Sequence, residues 1–366
     1  MKVTRIIYPV GQGGMHFEHF SDGTNEFSIL YDCGGSPGNV LKKRIEHLIH
    51  SVKDCHINVV FISHFHNDHI NGLQYLLDNA KVDYLIIPQL TEDQKAEAIL
   101  YNSFKRLGHS ANDFLAQLFK ADNNLKGTKI IEIPKAEDRS LAINDSITRL
   151  EPNAKIGSQT VFPLGFSTEW LFIPYNPKVL GVGIIDDLKN ILGVTELHSY
   201  DLPKLLKTNR TKLAEIKQLY AQKFNGKHNS YSMALYSGNR SGATTRCFNP
   251  IPYIYHPSVL DVLIPFTSAN AVYTGDMEAA SVQGMIRYYG DLWQTIGSIQ
   301  VPHHGSFDNF TDLLYHFPVR GFISVGNNNS FHHPSVSTLT GMERNYCQPV
   351  LVTEGLSTMR TYCYEV

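Results

Sequence analysis

Apolar runs and polar turns alternate along the first hundred residues. VTRIIYPV, FSILYDCGG, INVVFISH and VDYLIIPQL read as strands, and LKKRIEHLIHSV, between the second and third, has the apolar spacing of a helix. From Thr91 to about Phe119 apolar positions recur at helical spacing, and a second helical block, rich in Lys, Leu and Glu, runs from about Asp186 to Phe224. Between these blocks, residues 128–175 read as short strands: TKIIEIP, SITRLEP and FSTEWLFIP. The final third returns to strands in YSMALYSG, NAVYTGDM, IGSIQVPHHGS, RGFISVGNN and QPVLVTEG, with helices after Glu278 and Ser335. No fixed-period repeat, low-complexity tract or linker interrupts the pattern. It predicts one layered α/β domain over residues 1–366, with a helical and irregular insertion at 91–225.

Composition narrows the class. An apolar content of 42% over 366 residues supports a folded core. A formal charge of −2 provides no basic field, so any contact with nucleic acid must come from a local patch or from metal ions. The segment MKVTRIIYPVGQGG lacks the layout of a leader, and no window approaches the roughly 18 apolar residues of a membrane span. A cytoplasmic protein without membrane contact is expected. The five cysteines are dispersed and lack CxxC spacing, which argues against a disulfide framework or a thiolate zinc knot.

The candidate chemistry is concentrated in SHFHNDHING, residues 63–72, just after the apolar run Val59-Val60-Phe61-Ile62. His64 and His66, at i and i+2, point to one side of an extended segment and can share an ion; Asp68 and His69 follow a turn at Asn67 and can reach a second. Crowded at a strand end, these groups would repel one another or lose solvation unless a cation held them. Imidazole and carboxylate suit zinc above all, with manganese or iron as alternatives, and two ions roughly 3.5–4 Å apart would form a hydrolytic clamp. Further ligands are sought at other strand ends. They are Asp276 in YTGDM as a bridging carboxylate, His304 of the pair His303-His304 in VPHHGS, and His228 in KHNSYSMAL, for which a capping or surface role competes. Asp32 in ILYDCGG is expected to orient a ligand histidine, with a turn role as its competitor.

These residues resemble the metallo-β-lactamase superfamily, whose hallmark H-x-H-x-D-H loop follows a core strand. More narrowly, PVGQGG, ILYDCGG, VVFISHFHNDHINGL, VYTGD, VPHHGS and ISVGNNNSFHHPS are similar, in order, to signatures of the hydrolase domain of ComEC-type competence proteins. The resemblance implies an αββα sandwich with a dinuclear centre on one edge. It places His64, His66, Asp68, His69, Asp276 and His304 at metal positions and His333 where a histidine faces the substrate phosphate. The chain departs from the pattern at Gly14, where relatives commonly carry aspartate, at His228, where asparagine is usual, and at His332, where glycine is usual.

The expected function is hydrolysis of a phosphodiester, with nucleic acid as the substrate. Coordination lowers the pKa of a bound water toward about 7, giving a hydroxide nucleophile. Asp68 would orient that hydroxide or take its proton, and His303 or His333 would protonate the leaving oxygen or grip the phosphate. Lys204, Lys207, Arg210, Lys212, Lys217, Lys223, Arg240 and Arg246 are candidate phosphate contacts, with a solvated surface as the competing role. The helical insertion offers a lid or a surface for a protein partner. Two other readings stand beside this one: hydrolysis of a lactone, thioester or β-lactam in a small apolar pocket, and a regulatory subunit with a structural metal site.

Overall fold

Runs rich in valine, isoleucine and aromatic residues suit a pleated surface buried on both faces, and in the computed structural model they form the central strands. The structure describes residues 1–104, 109–120, 124–137, 139–151, 156–179, 183–224, 231–240, 246–248, 268–315 and 319–366. In chain order the strands are β1 (Lys2–Ile7), β2 (His16–Ser21), β3 (Glu26–Tyr31), β4 (His56–Phe61), β5 (Lys81–Pro88), β6 (Asn124–Leu125), β7 (Thr128–Ile133) and β8 (Phe162–Leu164). They continue as β9 (Ser167–Tyr175), β10 (Ala234–Asn239), β11 (Arg246–Phe248), β12 (Ala271–Tyr273), β13 (Ser298–Gln300), β14 (Arg320–Ser324), β15 (Gln348–Val352) and β16 (Arg360–Glu365).

Two sheets result, one in the order β11-β16-β1-β2-β3-β4-β5-β7-β6, the other β15-β14-β13-β12-β10-β9-β8. Strand alternation sorts the side chains into layers. Ile29, Tyr31, Val59 and Phe61 of the first sheet meet Trp170, Phe172, Leu235 and Tyr273 of the second. Leu30 and Val60 point the other way, onto Leu41, Ile45 and Leu48 of the helix Asn39–Ser51. Leu171, Ile173 and Val272 face Val282 and Met285 of the helix Ala279–Tyr289. Helices thus cover both outer faces, the αββα sandwich that the resemblance implies.

Within residues 91–225, β6 and β7 extend the first sheet and β8 and β9 the second. The helices Glu92–Phe104, Ile184–Leu192 and Leu213–Phe224 join the outer layer of the first sheet through Ile99, Leu188 and Ile216. SITRLEP, read as a strand, makes a single bridge from Ile147 to Val161, because its apolar residues do not alternate and cannot hold a ladder. No helix among the described residues is long and apolar enough to cross a membrane.

The pairings β3-β4-β5-β7 and β12-β13-β14-β15 are parallel. Their carboxyl ends deliver Asp32, His64, Asp276 and His303-His304 to one edge of the sandwich. Between the sheets lies a second polar cluster. Buried Arg5 donates from Nε to Glu18 Oε1 at 2.7 Å, from Nη1 to Ser298 Oγ at 3.1 Å and from Nη2 to the Ala269 carbonyl at 2.7 Å. Glu18 also accepts from the hydroxyls of Tyr273, at 2.8 Å, and Ser237.

Candidate metal centre

β4 ends at Phe61, and the chain runs extended through His66 (ψ 148°) before turning into the short helix Asn67–Ile70. The extended stretch sets His64 and His66 on one side, with ring centroids 4.7 Å apart. The turn brings His69 back beside His64, at 4.2 Å. On the second sheet, the loop after β12 passes close beneath Ser63: at Gly275 (φ 56°) a Cβ would lie 2.5 Å from Ser63 Cβ. Only glycine fits there, and the next residue, Asp276, is thereby carried in among the imidazoles.

Two groups of side chains converge so that their donor atoms lie within 4.8 Å of one another: Asp68, His69, Asp276 and His304, and His64, His66 and Asp276. Asp276 belongs to both. Its Oδ1 lies 3.0 Å from His69 Nε2 and 3.8 Å from His304 Nε2, and its Oδ2 lies 3.7 Å from His64 Nε2. Asp68 Oδ2 is 3.3 Å from His304 Nε2.

The hydrogen bonds around the rings determine their tautomers. Asp32 accepts from Ser63 N at 2.7 Å, from Ser63 Oγ at 2.8 Å and from His69 Nδ1 at 2.7 Å. Since the Ser63 hydroxyl gives its proton to Asp32, its oxygen accepts from His64 Nδ1 at 2.9 Å. His304 Nδ1 donates to the Ser324 carbonyl at 2.8 Å. Asn309 turns its amide nitrogen to the carbonyls of Asp276 and Met277, so its oxygen accepts from His303 Nδ1 at 2.7 Å. In each of these four rings an N–H is tied to protein at Nδ1, which leaves Nε2 as the inward atom, able to offer a lone pair to a cation that displaces any proton there.

Those lone pairs test whether a divalent ion fits. Among the described residues, Nε2 of His64, His66, His69 and His304 is buried without a hydrogen bond of good geometry, although carboxylate oxygens stand 3.0–3.8 Å from these atoms. Buried polar atoms are satisfied in nearly all cases, and lone pairs gathered around carboxylates match the donors of zinc, manganese or iron. The donor set fits such an ion.

The electrostatics agree. Burial lowers His69, but the charges of Asp276 and Asp32 outweigh it and hold His69 well above the ordinary range. Burial likewise opposes the shift at Asp276, whose carboxyl is nevertheless held well below its usual range by His69, His303 and His304. His64 is pushed well below the imidazole range by burial and by His69 and His66. Positive charge is therefore in demand here, and a cation would displace protons from the rings.

Asp32, His303 and His304 all adopt left-handed backbone conformations, with φ of 59°, 46° and 55°. Each costs on the order of 1–2 kcal/mol for a residue with a Cβ. At Gly14 a Cβ would stand 3.0 Å from Asp32 Oδ2, so this chain leaves the space beneath Asp32 clear where the resembling pattern has aspartate.

His303 is one-third exposed, and its Nε2 is 3.8 Å from Asp276 Oδ2. The His333 ring lies 5.6 Å from that of His303 and stacks on Phe331 at 5.8 Å. Burial, with His303 and His304, pushes His333 down to about 4, so it is neutral near pH 7. His228 lies outside the described residues, as does the Arg246 side chain. Of the candidate phosphate contacts, Lys207, Lys212 and Lys223 pair with Asp113, Glu215 and Asp187.

Two neighbours were not read from the sequence. Tyr101, from the helix Glu92–Phe104, stacks on His66 with ring centroids 3.6 Å apart. From the same helix, buried Glu97 brings Oε1 to 3.8 Å from His66 Nε2.

Among solved structures, the chain is similar to the metallo-beta-lactamase fold protein YhfI from Bacillus subtilis, at 11% identity and a TM-score of 0.41 over 99% of this chain and 100% of that one. It is similar to a long form RNase Z from yeast at 9% identity and a TM-score of 0.26, covering 97% of this chain and 35% of that one. A metallo-beta-lactamase from Cronobacter sakazakii follows at 14% identity and 0.23, covering 63% and 88%. No curated protein matches. Residues 22–113, which hold Asp32 and the whole His64–His69 loop, match the family model of the metallo-beta-lactamase superfamily.

Proposed function

We propose that this protein is a dinuclear metal-dependent phosphodiesterase that acts on nucleic acid. The observation that carries the reading is the two donor groups sharing Asp276, with inward-facing imidazole Nε2 atoms that have no well-formed hydrogen bond among the described residues. His64, His66 and Asp276 would hold one ion, and Asp68, His69, Asp276 and His304 the other, with His228 as a further ligand of the first. Bound there, two divalent ions supply an activated water and neutralise charge on the phosphoryl oxygen.

The chain's own residues perform the remaining steps. Asp32 fixes His69, and through Ser63 also His64, in the tautomer that presents Nε2. Asp68, part-exposed at the centre, orients the attacking water and accepts its proton. His303, held by Asn309 at Nδ1, stands at the open side and in its doubly protonated form delivers the Nε2 proton to the leaving oxygen. His333, neutral near pH 7, donates a hydrogen bond to a phosphate oxygen.

A nucleic acid with unpaired bases is favoured by a row of rings. Phe331, 60% exposed, stacks on His333, which neighbours His303 at the centre, and Phe307, 65% exposed, follows closely in the same loop. Aromatic faces beside a phosphate site suit stacked bases of any sequence. The sequence likeness to ComEC-type hydrolase domains supports the same substrate class.

The test is cleavage of labelled single-stranded DNA, duplex DNA and RNA with added zinc or manganese. Metal-dependent cutting of single strands, abolished in Asp68→Ala and His64→Ala, is expected. Hydrolysis of a lactone, thioester or β-lactam with no cutting of any nucleic acid would overturn the substrate assignment.

A further inference from the structure

We infer that Lys135, held in place by Asn176, binds a phosphate of the substrate strand next to the one being cleaved. The inference rests on the nucleic-acid reading and adds a subsite beside the metal centre.

Lys135 follows the end of β7 and is half-buried, and its ammonium donates to Asn176 Oδ1 at 3.0 Å. Among the described residues it meets no carboxylate, unlike Lys207, Lys212 and Lys223. An ammonium has three donors, so two remain for an acceptor from outside. Burial pushes Lys135 down to about 8, so near pH 7 it still carries a charge. Asn176 makes it a fixed donor. That residue is fully buried, and its amide nitrogen donates to the carbonyls of Ile133 at 2.7 Å and Gln89 at 3.3 Å, which assigns its oxygen to Lys135. Its own carbonyl accepts from Ala136 N at 2.8 Å. Ile133 and Ala136, which bracket Lys135, are thus tied to one asparagine, and a cation ordered in advance loses less freedom on binding.

Its place in the fold names the ligand. Asn176 directly follows Tyr175, which pairs with Ala234 of β10, and the neighbouring Met233 donates to the Ser63 carbonyl at 2.8 Å, one residue from His64. In the first sheet β7 lies two strands from β4, on the order of 10 Å at the usual strand spacing. Gln89, at the end of the intervening β5, is exposed, so this edge is open to solvent. Held by Asn176, the ammonium stands beyond contact with a phosphoryl group at the metal centre, at a distance that the next phosphates of an extended strand span. Its compact charge suits a phosphate oxygen.

The test compares Lys135→Met with the wild-type chain, both loaded with zinc or manganese, on two substrates. One is a single-stranded oligonucleotide; the other is bis(p-nitrophenyl) phosphate, whose lone diester has no neighbouring phosphate. On the oligonucleotide KM is expected to rise at least about fivefold with kcat little changed. The slope of log KM against log salt should fall by about 0.7, the value of one phosphate contact on a single strand. Turnover of the small diester should be unchanged, which damage to the fold or to the metal centre would not allow. A neutral methylphosphonate at one flanking position should reproduce the loss in the wild-type chain and add nothing to it in Lys135→Met. If Lys135→Met does not fold, Lys135→Gln takes its place. An unchanged KM and salt slope in the folded variant, or an equal loss on both substrates, would overturn the subsite and leave the metal centre intact. A wild-type chain that turns over the small diester but cuts no oligonucleotide would overturn the nucleic-acid reading and the subsite with it.

Discussion

Two buried polar clusters lie within a few residues of each other, and they are built on opposite plans. Around Arg5 every charge meets protein: Glu18, Tyr273, Ser298 and the Ala269 carbonyl surround the guanidinium, and Ser237 and Tyr273 complete the carboxylate. Around Asp276 the imidazole N–H groups at Nδ1 are secured just as carefully, yet the opposite nitrogens of His64, His69 and His304 are left buried without a well-formed hydrogen bond among the described residues. The closed cluster is complete as it stands, and the open one has the form of a receptor. Burial of charge alone does not mark a functional site; an unsatisfied set of like donors does.

The sharpest way to break this contrast is at Asp276. Asp276→Asn should release both ions and lower hydrolysis by at least about a thousandfold, because a neutral amide cannot bridge two cations; a variant that still holds two ions by elemental analysis would defeat the proposed centre. Next is the closed cluster. Glu18→Gln leaves Arg5 as a buried, poorly compensated charge and should cost about 3–5 kcal/mol in denaturant unfolding, with metal content unchanged in the folded fraction. Third, Asp32→Asn removes the acceptor behind His69 and should weaken ion binding by about 10–100-fold with little change in the fold, as read by competition with a chelator.

The smallest effect sharpens the comparison at His16, which belongs to neither plan. Its ring packs against Tyr273 and Tyr31, and both nitrogens are buried without a hydrogen-bond partner among the described residues. Burial, then the charges of His69 and Arg5, push His16 down from 6.5 to about 3. The folded state thus excludes a proton that the unfolded state binds. This contribution to stability is fully present above pH 6.5 and is lost as the pH falls toward 3. His16→Phe should remove up to about 1.4 kcal/mol per pH unit from the acid-side slope of unfolding free energy. An unchanged slope would mean the ring is solvated.

Local pattern explains what could be read in advance. His64, His66, Asp68 and His69 share one short segment, and Asp32, Asp276 and His304 each follow an apolar run that ends in a strand, so spacing and strand ends pointed to them. Strand β2 escaped notice because two of the inward positions of HFEHFS are His16 and Glu18, polar residues, and Glu18 is paired with Arg5 directly opposite on β1. Glu97 escaped for a similar reason. It lies in EDQKAEAILYNSF, where acidic residues read as solvent-facing, and Tyr220 and Tyr231, from distant parts of the chain, help make its burial tolerable. Amphipathic pattern assigns polar residues to the outside, and it fails wherever a polar partner arrives from elsewhere in the fold.

The convergence of parallel strand ends from both sheets at one edge would give bound ions a mechanical role. A cation shared between the loop after β4 and the loops after β12 and β13 would act as a clasp across the seam of the sandwich. With the clasp shut, the sheets cannot part at that edge without releasing metal. Amide exchange in β4 and β12 should therefore slow together on loading, and the seam becomes the last place to open.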